Sequence, residues 1–169
     1  MLRNRQELKE LLKRRQRIQR VGVAAAHDDH TLRAVIQAAR DGLVEPILIG
    51  DSERIASLWT SLSDGIPLPT VIPVQGDEAC ARRTVQLARE GQIDCVMKGK
   101  LETATLMREV VNRETGIRNR DVMSIIAVME SPYYHKLFAV TDVGLLTYPT
   151  LEQKAGVIEN AVELFHRLG

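Results

Sequence analysis

The chain has 169 residues, 44% of them hydrophobic, with 23 Lys or Arg against 22 Asp or Glu. That length and apolar content exclude a disordered chain and suffice for one core, or for one domain and part of a second. The balanced charge, a net +1, gives no whole-protein bias toward nucleic acid or a membrane surface.

The N-terminus departs from that balance. MLRNRQELKELLKRRQRIQR holds eight Lys or Arg and two Glu, with Leu8, Leu11, Leu12 and Ile18 near one helical face. Residues 1–19 are therefore expected to form a basic amphipathic helix with a solvated outer face. RNA binding through this helix is disfavoured, because the chain is only 4% aromatic and no stacking strand accompanies it. No apolar signal region follows the charges, and no run approaches the roughly 18 apolar residues of a membrane span. A cytoplasmic protein that binds neither nucleic acid nor membrane is expected.

From there the pattern alternates. RVGVAAA (Arg20 to Ala26) is a buried-strand candidate, and Thr31 to Arg40 carries Leu32, Val35, Ile36 and Ala39 at helical spacing up to Gly42. Pro46 to Gly50 reads as a second strand, Ser52 is expected to cap a helix through about Leu62, and Thr70 to Val74 is a third strand. A helix from about Asp77 to Arg89, a strand from Ile93 to Met97 and a helix from about Glu102 to Arg113 follow. Strands that hardly alternate in polarity, each followed by a helix, predict a doubly wound, mainly parallel α/β domain over residues 20–121.

Beyond Gly116 the grammar changes. Val122 to Met129 and Leu137 to Thr141 are strand-like runs close enough in sequence for an antiparallel pair, and Gly144 to Thr147 is a possible short strand. The box Thr150, Leu151, Glu152, Gln153 opens a last helix with Leu151, Ala155, Ile158, Ala161, Val162, Phe165 and Leu168 on one stripe, and Gly169 is a natural C-cap. Residues 122–169 are expected to start a second α/β lobe.

The chemistry concentrates in VMKGKLETATLM (Val96 to Met107). The turn between the apolar run and the helix holds Lys98, Gly99 and Lys100, and ligands of open α/β sheets bind at such turns. Two lysines, a glycine that permits close approach and a helix N-terminus suit an anion. An ordinary solvated turn would look the same. The run is no Walker loop, since Leu101 follows Lys100 where Ser or Thr belongs, and no GxGxxG occurs. His27, Asp28, Asp29 and His30 are adjacent residues that cannot all face one ion from regular backbone, and they equally serve a strand end and helix start. Cys80 and Cys95 form no CxxC pair, so two reduced thiols and no metal site are expected.

VMKGKLETATLMREVVNRETGIR and SIIAVMESPYYHKLFAVTDVGLLTYPTLEQKAGVIENAVELFHRLG resemble the phosphate acetyltransferase and phosphate butyryltransferase family, closest to the butyryl branch, and RVGVAAAHDDHTLRAVIQAARDGLVEPILIGD resembles its first strand, helix and strand. The resemblance implies acyl transfer between coenzyme A and inorganic phosphate, with acyl-CoA or CoA and phosphate as partners. It implies coenzyme A as substrate, no covalently bound cofactor and no metal. It also implies a fold like that of isocitrate and isopropylmalate dehydrogenases, two α/β lobes around a cleft, with the second lobe unfinished here. Because that lobe has too few elements to cover both faces of its sheet, its apolar face is expected to be buried against another chain, in a homo-oligomer. Lys98, Gly99, Lys100, Thr103 and Thr105 would hold phosphate or the phosphates of CoA. Ser124 would lie at the cleft or simply be buried in its strand, and Asp142 is a weaker candidate because Asp at a strand end often caps a turn. No residue is assigned as catalytic, and the chain alone is expected to be inactive. The open alternative is a non-catalytic binding or assembly module derived from that fold.

Overall fold

The computed structural model describes residues 2–14 and 18–168. The chain forms two compact units, one spanning Gln16–Arg118 and the other joining Met1–Arg15 to Asn119–Gly169.

The first unit is a four-stranded sheet, β1 (Gln19–Ala24), β2 (Val44–Gly50), β3 (Thr70–Pro73) and β4 (Cys95–Lys98), in spatial order β3-β2-β1-β4. All three pairings are parallel, with Val23 opposite Leu48 and Ala24 opposite both Ile49 and Lys98. The helices α2 (Asp29–Arg40), α3 (Ser52–Leu62), α4 (Asp77–Arg89) and α5 (Thr103–Val110) cover both faces. Side chains alternate across a strand, so consecutive residues of β1 and β2 feed different layers. Val23 and Leu48 pack with Leu32, Val35, Ile36, Ile55 and Trp59 of α2 and α3. Ala24 and Ile49 pack with Cys80, Val85, Leu87 and Leu106 of α4 and α5. Both central strands are therefore buried on two sides, which is why their sequences read as continuous apolar runs. Trp59 satisfies its buried indole by donating to the Ile66 carbonyl at 3.0 Å.

Local chemistry sets the helix starts. Asp28 accepts from the Thr31 amide at 3.0 Å and caps α2. At α3 the cap is Asp51, whose carboxylate takes the Arg54 amide at 3.1 Å; Ser52, expected to cap, is already the first helical residue.

The second unit contains α1 (Arg5–Arg14), the antiparallel pair β5 (Ala127–Met129) and β6 (Phe138–Val140), and α6 (Leu151–Leu168). The Arg5 amide and guanidinium both donate to Glu130, and the Leu137 amide donates to the Leu2 carbonyl, so α1 is tied to the hairpin. Ile18, expected on the face of α1, lies outside it and is exposed; positions 15–17 and the C-cap at 169 fall outside the described residues. No strand forms over 144–147. The Leu145 and Leu146 amides that a strand would pair are taken by the Asp142 carboxylate instead.

Helix α6 opens with the expected reciprocal box. The Gln153 amide donates to Thr150 Oγ1 at 3.2 Å, and the Thr150 amide donates to Gln153 Oε1 at 2.9 Å. Its apolar stripe is largely uncovered within the unit: Leu151 is 79% exposed, Ile158 61% and Val162 47%, while Val157 alone is buried.

Candidate functional site

The strand order creates a particular place at the carboxyl edge of the parallel sheet. From β1 the chain winds outward through β2 and β3, then returns to set β4 on the other side of β1. The loops leaving β1 and β4 are thus neighbours whose helices go to opposite faces. This is the switch point at which open α/β sheets leave a crevice for ligands.

The two loops are fastened to each other. Gly99 donates its amide to the Ala24 carbonyl at 2.8 Å, and Lys100 donates to the Ala25 carbonyl at 3.1 Å, extending the β1–β4 pairing past the last residue of β4. The approach is so close that a Cβ on Gly99 would stand 2.4 Å from the Ala25 oxygen and 2.5 Å from the Ala24 oxygen. Glycine is required here by contact. Ala25, buried and with φ of +54°, turns the chain out of β1 toward His27 and Asp28. Left-handed backbone at a non-glycine residue costs free energy, and such strain tends to gather at functional sites.

Lys98, Gly99, Lys100, Thr103 and Thr105 all lie on this one turn and the first turn of α5, but they are not equivalent. The Lys98 ammonium bends back to donate to the Leu101 carbonyl at 2.9 Å and the Gly99 carbonyl at 3.2 Å. Lys100 is exposed. Thr103 is the exposed first residue of α5 and Thr105 is half-buried. The N-cap of α5, Glu102, makes no side-chain cap bond, and the first turn carries no acidic residue. Helix amides left uncapped, with a lysine beside them, form an arrangement that attracts anions.

Two further groups at this edge were weighed in the sequence only as metal ligands or as a helix start. His27 Nδ1 and Asp28 Oδ2 are buried and lack hydrogen-bond partners among the described residues. The His27 ring lies against Gly50, where an added Cβ would come within 2.9 Å of Nδ1. Burial pushes the Asp28 carboxyl up, but the bonds from Thr31 and the charges of Lys100 and His30 together hold it below the ordinary aspartate value. The sequence signal for these residues is their position directly after β1. It gains meaning only once β4 is known to neighbour that strand.

Ser124 and Asp142 belong to the other unit. The Ser124 hydroxyl accepts from Asn160 Nδ2 at 3.1 Å, which also donates to the Val122 carbonyl, so it is tied to α6. Asp142 accepts from the amides of Ile125, Leu145 and Leu146, led in its effect by Ile125, and these bonds hold its carboxyl below the usual range. Its carboxylate organises a turn.

A doubly wound α/β unit with an anion-suited turn at its switch point is the class of protein these features define. The chain belongs to the phosphate acetyl/butaryl transferase family, which matches residues 78–169, more than half of its length. The phosphate butyryltransferase of Clostridium acetobutylicum is 34% identical over 152 residues, covering 90% of this chain and 50% of that protein. The phosphate acetyltransferase of Thermotoga maritima is 35% identical over 150 residues, covering 89% of this chain and 51% of that protein. A branched-chain phosphotransacylase from Enterococcus faecalis superposes with a TM-score of 0.73 at 23% identity, over 90% of this chain and 52% of that one, a likeness of fold alone. The chain spans about half the length of the curated relatives it matches. These relatives do not favour the reading as a non-catalytic module.

Proposed function

We propose that this chain supplies the phosphate-holding part of a phosphate acyltransferase of the butyryl type, which converts acyl-CoA and phosphate to acyl phosphate and CoA. In that reaction a phosphate oxygen attacks the thioester carbonyl carbon, negative charge gathers on the carbonyl oxygen, and the carbon–sulfur bond breaks to release CoA thiolate. Phosphate is already an anionic nucleophile, so the protein's work is to position it and to stabilise the developing charge. Lys100, the amides at the start of α5 and the hydroxyls of Thr103 and Thr105 suit the first task. Ser124 remains a candidate contact in the other unit. The finer parts of the reading are a two-lobed fold like that of isocitrate and isopropylmalate dehydrogenases, coenzyme A as substrate with no covalently bound group, a homo-oligomer and a cytoplasmic location.

The observation that carries the proposal is the turn after β4, where an exposed Lys100 stands beside an uncapped helix start at the sheet's switch point in a member of this family. Calorimetric titration of the 169-residue chain with inorganic phosphate and with CoA tests it. Saturable binding weakened by Lys100→Ala is expected, and no binding of either at millimolar concentration would overturn it.

A further inference from the structure

We propose that Lys98 is a positioning residue that braces the β4–α5 turn so that an anion meets Lys100 and the α5 amides, without itself touching the anion. The inference rests on the anion-site reading above and divides the two lysines of KGK between two tasks.

The geometry of the turn carries it. An ammonium has three donors, and Lys98 gives two of them to carbonyls within three residues of itself, Leu101 at 2.9 Å and Gly99 at 3.2 Å. The Gly99 carbonyl also accepts the Leu101 amide at 3.0 Å, so it is held from two directions. The amides of Gly99 and Lys100 are meanwhile engaged by the carbonyls of Ala24 and Ala25. The Gly99 and Lys100 amides are thus held by β1, the Leu101 amide by the Gly99 carbonyl, and the Gly99 and Leu101 carbonyls by Lys98, while the Thr105 amide bonds the Glu102 carbonyl. The Lys100 ammonium, whose charge also acts on Asp28, and the first two amides of α5 are what the turn offers an anion. Charge-assisted bonds are stronger than neutral ones, so a ligand can take only the third Lys98 donor without breaking one of them, and turning the ammonium fully toward the ligand would cost both.

Electrostatics favour the same division. The carbonyl oxygens of Gly99 and Leu101 put partial negative charge immediately before a helix start suited to an anion, where they would repel it. The ammonium of Lys98 sits on those two oxygens and offsets that repulsion from behind. Both lysines are exposed, so what separates them is that the Lys98 ammonium is bonded to its own turn, whereas Lys100 lies at the end of the turn nearest α5.

The test compares Lys98→Met and Lys100→Met in the full 169-residue chain. Phosphate is titrated calorimetrically at several salt concentrations, and hydrogen exchange of the amides from Gly99 to Leu101 is followed without ligand. An anion contacted directly by a lysine loses affinity with salt, and removing that lysine flattens the dependence. The expected result for Lys98→Met is about tenfold weaker binding with a salt dependence flattened clearly less than Lys100→Met flattens it, and faster exchange at Gly99 and Lys100. Lys100→Met should flatten the salt dependence and leave exchange unchanged. A Lys98→Met variant that flattens the dependence as Lys100→Met does, or whose amides exchange as in the wild type, overturns the bracing role. If wild-type chain binds no phosphate, the anion-site reading fails, while the exchange data still judge the brace. Should Lys98→Met not fold, Lys98→Gln, neutral and with shorter reach, carries the same expectations.

Discussion

Replacing Gly99 by Ala is the sharpest perturbation of the switch point. The added Cβ would meet the Ala25 oxygen at 2.4 Å, the Ala24 oxygen at 2.5 Å and the Ala25 carbonyl carbon at 2.9 Å. All three are backbone atoms of the buried end of β1, so no flexible side chain can yield, and the turn must withdraw. Withdrawal breaks the bonds from Gly99 to Ala24 and from Lys100 to Ala25, each worth about 1 kcal/mol. Displacing tightly packed backbone adds about 1–3 kcal/mol, for a total near 3–5 kcal/mol. With a urea slope of about 2 kcal/mol per molar, the unfolding midpoint should fall by about 1.5–2.5 M. Urea titration followed by circular dichroism measures this. Gly42→Ala is the comparison: open space surrounds it, its φ is +69°, and only the left-handed backbone cost of about 1 kcal/mol applies. A Gly99→Ala midpoint within about 0.3 M of the wild type would refute the claim that the two loops are fastened by contact.

Lys100→Ala should weaken phosphate or CoA binding by about 1–3 kcal/mol and reduce its salt dependence, and Thr103→Val by about 0.5–1.5 kcal/mol, as calorimetry at two ionic strengths would read; unchanged affinities would leave KGK an ordinary turn. Because backbone amides, that of Ile125 foremost, hold the folded Asp142 carboxyl below its ordinary pKa, its stabilising contribution is complete above about pH 4 and is lost as pH falls through the depressed value. Thermal melts in acid should show that loss in the wild type and less of it in Asp142→Asn; identical profiles would show that the bonds are not made in solution. The uncovered stripe of α6 should drive association, so light scattering is expected to find a dimer or larger species that Ile158→Glu shifts toward monomer. A monodisperse wild-type monomer at micromolar concentration would contradict this.

Much of the first unit was legible in the sequence because punctuation and periodicity agreed. Gly76 and Gly91 bracket the run from Asp77 to Arg89, and α4 has those bounds. In the second unit, runs that read as strands over Val122 to Met129 and Leu137 to Thr141 pair only over three residues each. The sheet there has two strands, and the side chains of Asn160 and Asp142 take up backbone groups at Val122 and Ile125. Asp51 and Ser52 are both good caps, and only backbone geometry decides between them. At the site, an apolar run meeting a helical one located the KGK turn. Which way its lysines point was not legible, because a residue's type says nothing of whether its ammonium turns back on its own carbonyls. The neighbours of the turn, His27 and Asp28, depend on strand order, a long-range property that local pattern does not carry.

The buried indole of Trp59 has a practical consequence. It is the sole tryptophan and lies in the unit Gln16–Arg118, whereas all three tyrosines, Tyr133, Tyr134 and Tyr148, lie in the other unit. Nature has in effect labelled the two units with different fluorophores. Emission excited at the red edge of the indole band comes from the first unit alone and should shift to longer wavelength when Trp59 meets water. Second-derivative tyrosine absorbance follows the second through Tyr134, which packs edge-on against Phe138, since Tyr133 and Tyr148 are already exposed in the folded chain. Overlaying the two signals during one denaturant titration asks whether the units melt together, since coincident transitions are the signature of a single cooperative step and separated ones of two. No dye, tag or substitution is needed.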